Sequence, residues 1–137
     1  MSLPFADTVA VLRDMARRCE VSGASLMVVV EAGWKNKGNW HFMPYDSKAK
    51  CAALGVSQGR NHQTGILLIE MCRYFEIPVT EQPPLVKTWC GKDRKITHAE
   101  LSAFAQLNKP RSNQEERDAA LLAWTYANLP VRVSVRR

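Results

Sequence analysis

Leu26-Met27-Val28-Val29-Val30 is an uninterrupted apolar run, rich in β-branched residues, set between two stretches with helical spacing. It reads as a strand buried on both faces, with Glu31 at its carboxyl end. No other segment constrains the fold as much, because a strand between helices is the repeating unit of a parallel sheet with crossover connections. Upstream, Phe5, Val9, Leu12, Ala16 and Cys19 recur at steps of three and four and predict an amphipathic helix over about 5–19. Downstream, Gly65, Ile69, Cys72 and Phe75, joined by Leu68 and Met71, predict a helix over about 62–75 that ends near Ile77-Pro78. Pro78 to Gln82 reads as a second strand, stopped by Pro83-Pro84.

Two further helix starts are written as capping boxes, in which a side-chain oxygen and a glutamate three residues on satisfy each other's free backbone amides. Thr97 with Glu100 opens a helix to about Leu107, and Asn113 with Glu116 opens a final helix through Trp124. The alanines of that last helix would let it lie close against a sheet. The resulting order is helix, strand, helix, strand, helix, helix, an α/β pattern with parallel strands. Two strands are too few to cover helices with apolar faces, so further strands are expected from outside the chain or from a neighbouring copy. From Gly33 to Arg60 the composition turns basic and aromatic, with Trp34, Lys35, Lys37, Trp40, His41, Phe42 and Tyr45, and predicts a long irregular excursion. Residues 131–137 form a basic tail.

A chain of 137 residues, 46% apolar, is the usual size for one domain. Its net charge of +6 favours polyanionic partners, although an ordinary basic surface would carry the same charge. Cys19, Cys51, Cys72 and Cys90 form no CxxC pair and read as reduced thiols of a cytoplasmic protein. With His41, His62 and His98 they lack the paired spacing of a zinc site. No apolar run approaches the roughly 20 residues of a membrane span.

Glu31 stands where open α/β folds place their ligands, at the carboxyl end of a strand, though a solvated strand-end acid would look the same. Glu115 and Asp118 are three apart on a helix and project from one side, a spacing that can present two carboxylates to a hard cation. Acids in a first helical turn are also favoured by the helix dipole alone. Asp118 opens a small, apolar helical surface expected to be buried, so it requires a partner: a divalent metal, or an ion pair with Arg117, Lys95 or Arg111.

Taken together, the strand ending in Glu31, Gly59-Arg60-Asn61 before a helix, Pro84-Leu85-Val86-Lys87, Gly91-Lys92-Asp93-Arg94-Lys95 and Glu115-x-x-Asp118-Ala119-Ala120-Leu121 resemble the RuvC-type Holliday-junction resolvases. The likeness covers nearly the whole chain and is most specific from Pro84 to Trp124. It implies an RNase H-like α/β fold, with a three-stranded meander, a helix, a fourth strand, a helix and a fifth strand. Glu31, Glu115 and Asp118 would be catalytic metal ligands for two Mg²⁺ or Mn²⁺ ions about 4 Å apart, with Lys87 near the scissile phosphate. Trp34, Lys35, Lys37, Trp40, Arg60, Asn61, Lys87, Lys92 and Lys95 would contact nucleic acid, some aromatics stacking on bases or simply packing the loop. The partners implied are branched DNA, in recombination or repair, and a second copy in a homodimer.

The family's first catalytic Asp lies on its first strand, and nothing upstream of Phe5 has that form. Asp7 sits on the polar side of a helix. The expectation is therefore a chain lacking the meander and inactive as it stands, or a degenerate member that binds nucleic acid without cutting it.

Overall fold

The apolar run pairs with the second strand as expected, in parallel: β1 (Val28–Glu31) lies beside β2 (Val79–Gln82), with Val28 opposite Val79 and Glu31 opposite Gln82. Pairing extends past both ends, since Val28 N–H donates to Pro78 C=O at 2.9 Å and Ala32 N–H to Gln82 C=O at 2.8 Å. These relations come from a computed structural model that describes residues 3–35 and 47–131. The architecture is mixed α/β, and the chain divides into two compact units, one spanning Leu3–Pro84 and one beginning at Leu85. No described helix is long and apolar enough to cross a membrane.

In the first unit, α1 (Phe5–Ser22) extends slightly beyond the predicted helix and closes on Gly23 at φ 75°. Val9 and Leu12 meet Leu68, Met71, Cys72, Phe75 and Ile77 along one apolar seam. The Arg13 guanidinium lies 4.1 Å above the Phe75 ring. None of the α1 residues is fully buried, and Val11 and Met15 remain exposed.

The second helix corrects the sequence reading. α2 runs from Lys48 to Tyr74, so much of the expected irregular excursion is helical, and Gly59, Arg60 and Asn61 lie inside the helix rather than before it. Ser47 caps it, its Oγ accepting from Lys50 N–H at 3.1 Å. Good helix formers such as Ala49, Ala52, Ala53 and Leu54 carry the first half without an apolar stripe, so periodicity could not reveal it. Burial begins only in the second half, at Ile69 and Cys72. Burial raises the Cys72 thiol pKa, which keeps it protonated. Together with Val30, Ala32 and Ile77, these residues are the buried apolar positions of this unit among the described residues.

The strand burial is also lighter than expected. Val30 is buried, but Val28 and Val29 are half-buried and Met27 is exposed. Among the described residues the sheet has two strands, too few to bury both faces of β1.

The second unit has its own core of Ile96, Leu101 and Leu121, ringed by Leu85, Trp89, Phe104 and Leu107. α3 is short, His98–Ser102, and stops well before Leu107. The chain turns there so that Phe104 sits between Trp89, at 6.1 Å centroid separation, and Trp124, at 5.4 Å. α4 spans Gln114–Tyr126 and buries Leu121 and Leu122. Its neighbour within the unit is this helical and aromatic core, and Ala119 and Ala123 are exposed rather than pressed on a sheet.

Both capping boxes form. Thr97 Oγ1 accepts from Glu100 N–H at 3.2 Å while Thr97 N–H donates to the Glu100 carboxylate at 3.1 Å. Asn113 Oδ1 accepts from Glu116 N–H at 2.8 Å, and Asn113 N–H donates back to Glu116 at 3.2 Å.

Candidate functional site

Glu31 closes β1 with an exposed side chain, between buried Val30 and Ala32, the latter fully inaccessible. Strand alternation explains this: neighbours on both sides turn inward, so Glu31 turns out. The Ala32-to-Gln82 hydrogen bond holds the backbone just past it. The carboxylate is therefore presented from a fixed position at the carboxyl end of the parallel pair.

The residues next to it mostly serve packing. Trp34, in the 3₁₀ turn Gly33–Lys35, lies across α2, where a Cβ at Gly65 would come 2.8 Å from its ring. Its ring meets His62 edge-on at 6.2 Å. Lys35 is engaged with Glu81 at 2.6 Å. Trp34 thus fastens the segment to the helix. Lys37, Trp40, Phe42 and Tyr45 lie outside the described residues, and Arg60 and Asn61 are exposed along α2.

In the second unit Glu115 is exposed and Asp118 is half-buried. The partner of Asp118 is none of the three cations expected. Gln114, one turn back, donates from Nε2 to Asp118 Oδ1 at 2.8 Å and to Ile96 C=O at 3.1 Å. Arg117 instead clamps backbone: it donates to Ile96 C=O at 3.0 Å, to Ser112 C=O, and to Gln114 Oε1 at 2.9 Å. Ser112 Oγ in turn lies 2.7 Å from His98 Nδ1. The Gln114 amide thus satisfies one Asp118 oxygen, and the guanidinium and that amide converge on the Ile96 carbonyl.

Glu116 is held by Lys109 at 2.7 Å and by the cap, and these hydrogen bonds lower its pKa below the usual carboxylate range. Glu100 is lowered as well: desolvation raises it, but hydrogen bonds from Thr97 and Cys90 outweigh that effect.

Of the candidate ligands, Glu31 belongs to the first unit and Glu115 and Asp118 to the second. Among the described residues no group of three or more His, Cys, Asp or Glu could hold a metal ion. Within either unit alone, the described acids do not assemble a divalent-cation site. Of the cations, Lys87 and Lys92 are exposed and Lys95 is half-buried. Sequence reasoning missed Gln114 and Ser112 as partners, because hydrogen-bonding amides and hydroxyls carry no periodic signal. It also passed over Arg94, whose backbone is left-handed at φ 60°. No protein-family model, curated protein or solved structure matches the chain.

Proposed function

We propose that this chain belongs to a RuvC-like endonuclease on an RNase H-like scaffold, acting on branched DNA in the cytoplasm. One observation carries the reading: Glu31 is presented, exposed, at the carboxyl end of a strand paired in parallel with the next, after a helix and before a helix. That order and that position match the acid the RuvC resemblance requires, and Asp118 on the last helix matches its second.

On this reading Glu31, Glu115 and Asp118 are the acids whose loss abolishes cleavage, and Mg²⁺ or Mn²⁺ would supply the charge neutralisation that phosphodiester hydrolysis needs. Lys87 is exposed and available to offset phosphate charge. A two-fold pair of chains suits a junction with two symmetric strands to cut.

The test is cleavage of a labelled four-way junction, with Mg²⁺ or Mn²⁺, by the product of the full reading frame, by this chain, and by Glu31→Gln and Asp118→Asn variants. The nuclease reading expects cutting by the full wild-type product, abolished in both variants, with junction binding retained. Binding by every form with cutting by none would replace it with a non-catalytic nucleic-acid-binding module. The engagement of Asp118 with Gln114, and of Glu116 with Lys109 and Asn113, favours that second reading.

A further inference from the structure

α2 ends in a tight reversal that places an acid where the backbone favours glycine. Phe75 closes the helix, Glu76 N–H donates to Arg73 C=O at 3.1 Å, and Ile77 N–H donates to Cys72 C=O at 2.8 Å. These two bonds make a Schellman motif, in which the residue past the cap is left-handed and usually glycine. Here that residue is Glu76, at φ 57°. A side chain in this conformation carries a cost that glycine would avoid, and such positions gather at functional sites.

Glu76 lines a cleft of about 530 Å³ within the first unit, a volume in the range of small-ligand sites. α1 forms one wall, and Leu26 and Pro78, which lead into β1 and β2, contribute another. The cleft therefore sits at the amino ends of the strands, whereas Glu31 stands at the carboxyl end of β1.

Its lining combines apolar surface with charges of both signs. Ala16, Leu26, Phe75 and Ile77 supply the hydrocarbon. The Arg13 guanidinium is held 4.1 Å over the Phe75 ring, which keeps the cation at the aromatic wall. Arg17 also lines the cleft but is engaged with Asp14 at 2.8 Å. Arg13 makes no ion pair among the described residues, and neither do Glu20 and Glu76 on the same lining. One cation and two carboxylates thus border a single cleft, too far apart to neutralise one another.

We propose that this cleft binds a small zwitterion, of the class of free α-amino acids with an apolar side chain. Arg13 takes the carboxylate, whose two oxygens match the guanidinium fork, and Glu76 with Glu20 takes the ammonium. The apolar wall takes the side chain. A simple anion would be repelled by Glu20 and Glu76 and a simple cation by Arg13, so a molecule carrying both charges fits best. The inference goes beyond the nuclease reading and does not depend on it.

Titration of this chain with L-phenylalanine, followed by backbone amide NMR shifts and by calorimetry, tests it. Phenylpropionate, which lacks the ammonium, and phenethylamine, which lacks the carboxylate, are the control ligands. L-Phenylalanine should bind saturably and move the amide signals of Ser25, Glu76 and Ile77. Each control should bind about tenfold more weakly, as should L-phenylalanine to Arg13→Gln, the effect of losing one charge-assisted contact. Glu76→Gly removes a carboxylate and relieves the left-handed strain, so its thermal midpoint should hold or rise while binding weakens, which separates binding from folding. Phenylpropionate binding as tightly as L-phenylalanine would overturn the zwitterion and reduce the cleft to an anion site at Arg13. Absence of saturable binding, or unchanged affinity in both variants, would overturn the site altogether. Either result leaves the junction-cleavage test where it stands.

Discussion

At the scale of single residues, Glu100 serves two places through one carboxylate, closing the α3 capping box with Thr97 and accepting from the Cys90 backbone amide. Its pKa is depressed, as is that of Glu116, because their hydrogen bonds favour the charged form more than desolvation opposes it. A group depressed in the folded state contributes stability above its unfolded pKa, about 4.3 for glutamate, and loses it as pH falls through the lower folded value. The thermal midpoint of the chain should therefore drop as pH falls below the unfolded glutamate value. In Glu100→Gln that drop should be shallower, with a lower midpoint at neutral pH. An identical pH profile in the variant would show that the Glu100 carboxylate carries no pH-dependent stability. Asp118, the residue on which the site reading leans hardest, is tied to the Gln114 side-chain amide, a pairing invisible in sequence. Spacing placed the acid correctly on α4 but could not say which of its neighbours would turn toward it.

At the scale of elements, α2 is where sequence reading and structure part. Its second half is amphipathic and was legible; its first half is a helix of alanine and leucine with two interior glycines and little burial, where only propensity speaks. At Gly59 a Cβ would meet nothing within 4 Å. Gly59→Ala should thus stabilise the chain by about 0.5–1 kcal/mol, seen as a higher urea midpoint with unchanged slope. A lower midpoint would mean that this half of α2 is not helical in solution. The capping boxes were legible because they are local: the side chains and amides that satisfy one another lie within four residues. The end of α3 was not, because it is set by where Phe104 finds Trp89 and Trp124, partners distant in sequence.

At the scale of the molecule, the α/β class and the parallel pairing followed from the order of the segments, while the division into two compact units did not. Composition continues evenly across Pro84-Leu85, and each unit closes a core too small to be foreseen from periodicity alone. The net charge of +6 nonetheless belongs to the whole chain, and neutralising an acid raises it. Glu31→Gln and Asp118→Asn should each hold or tighten junction binding at low salt in the absence of divalent metal. Weaker binding in both would assign the acids to direct contacts with the nucleic acid or to the fold itself. The pairing of β1 with β2 also restricts how this chain can vary among descendants. Val30 and Glu31 face opposite ways on a strand in fixed register, so inserting one residue before them would send the carboxylate inward and a valine out to water. Loops can lengthen one residue at a time, but β1 can change length only in twos if the acid is to stay where it is.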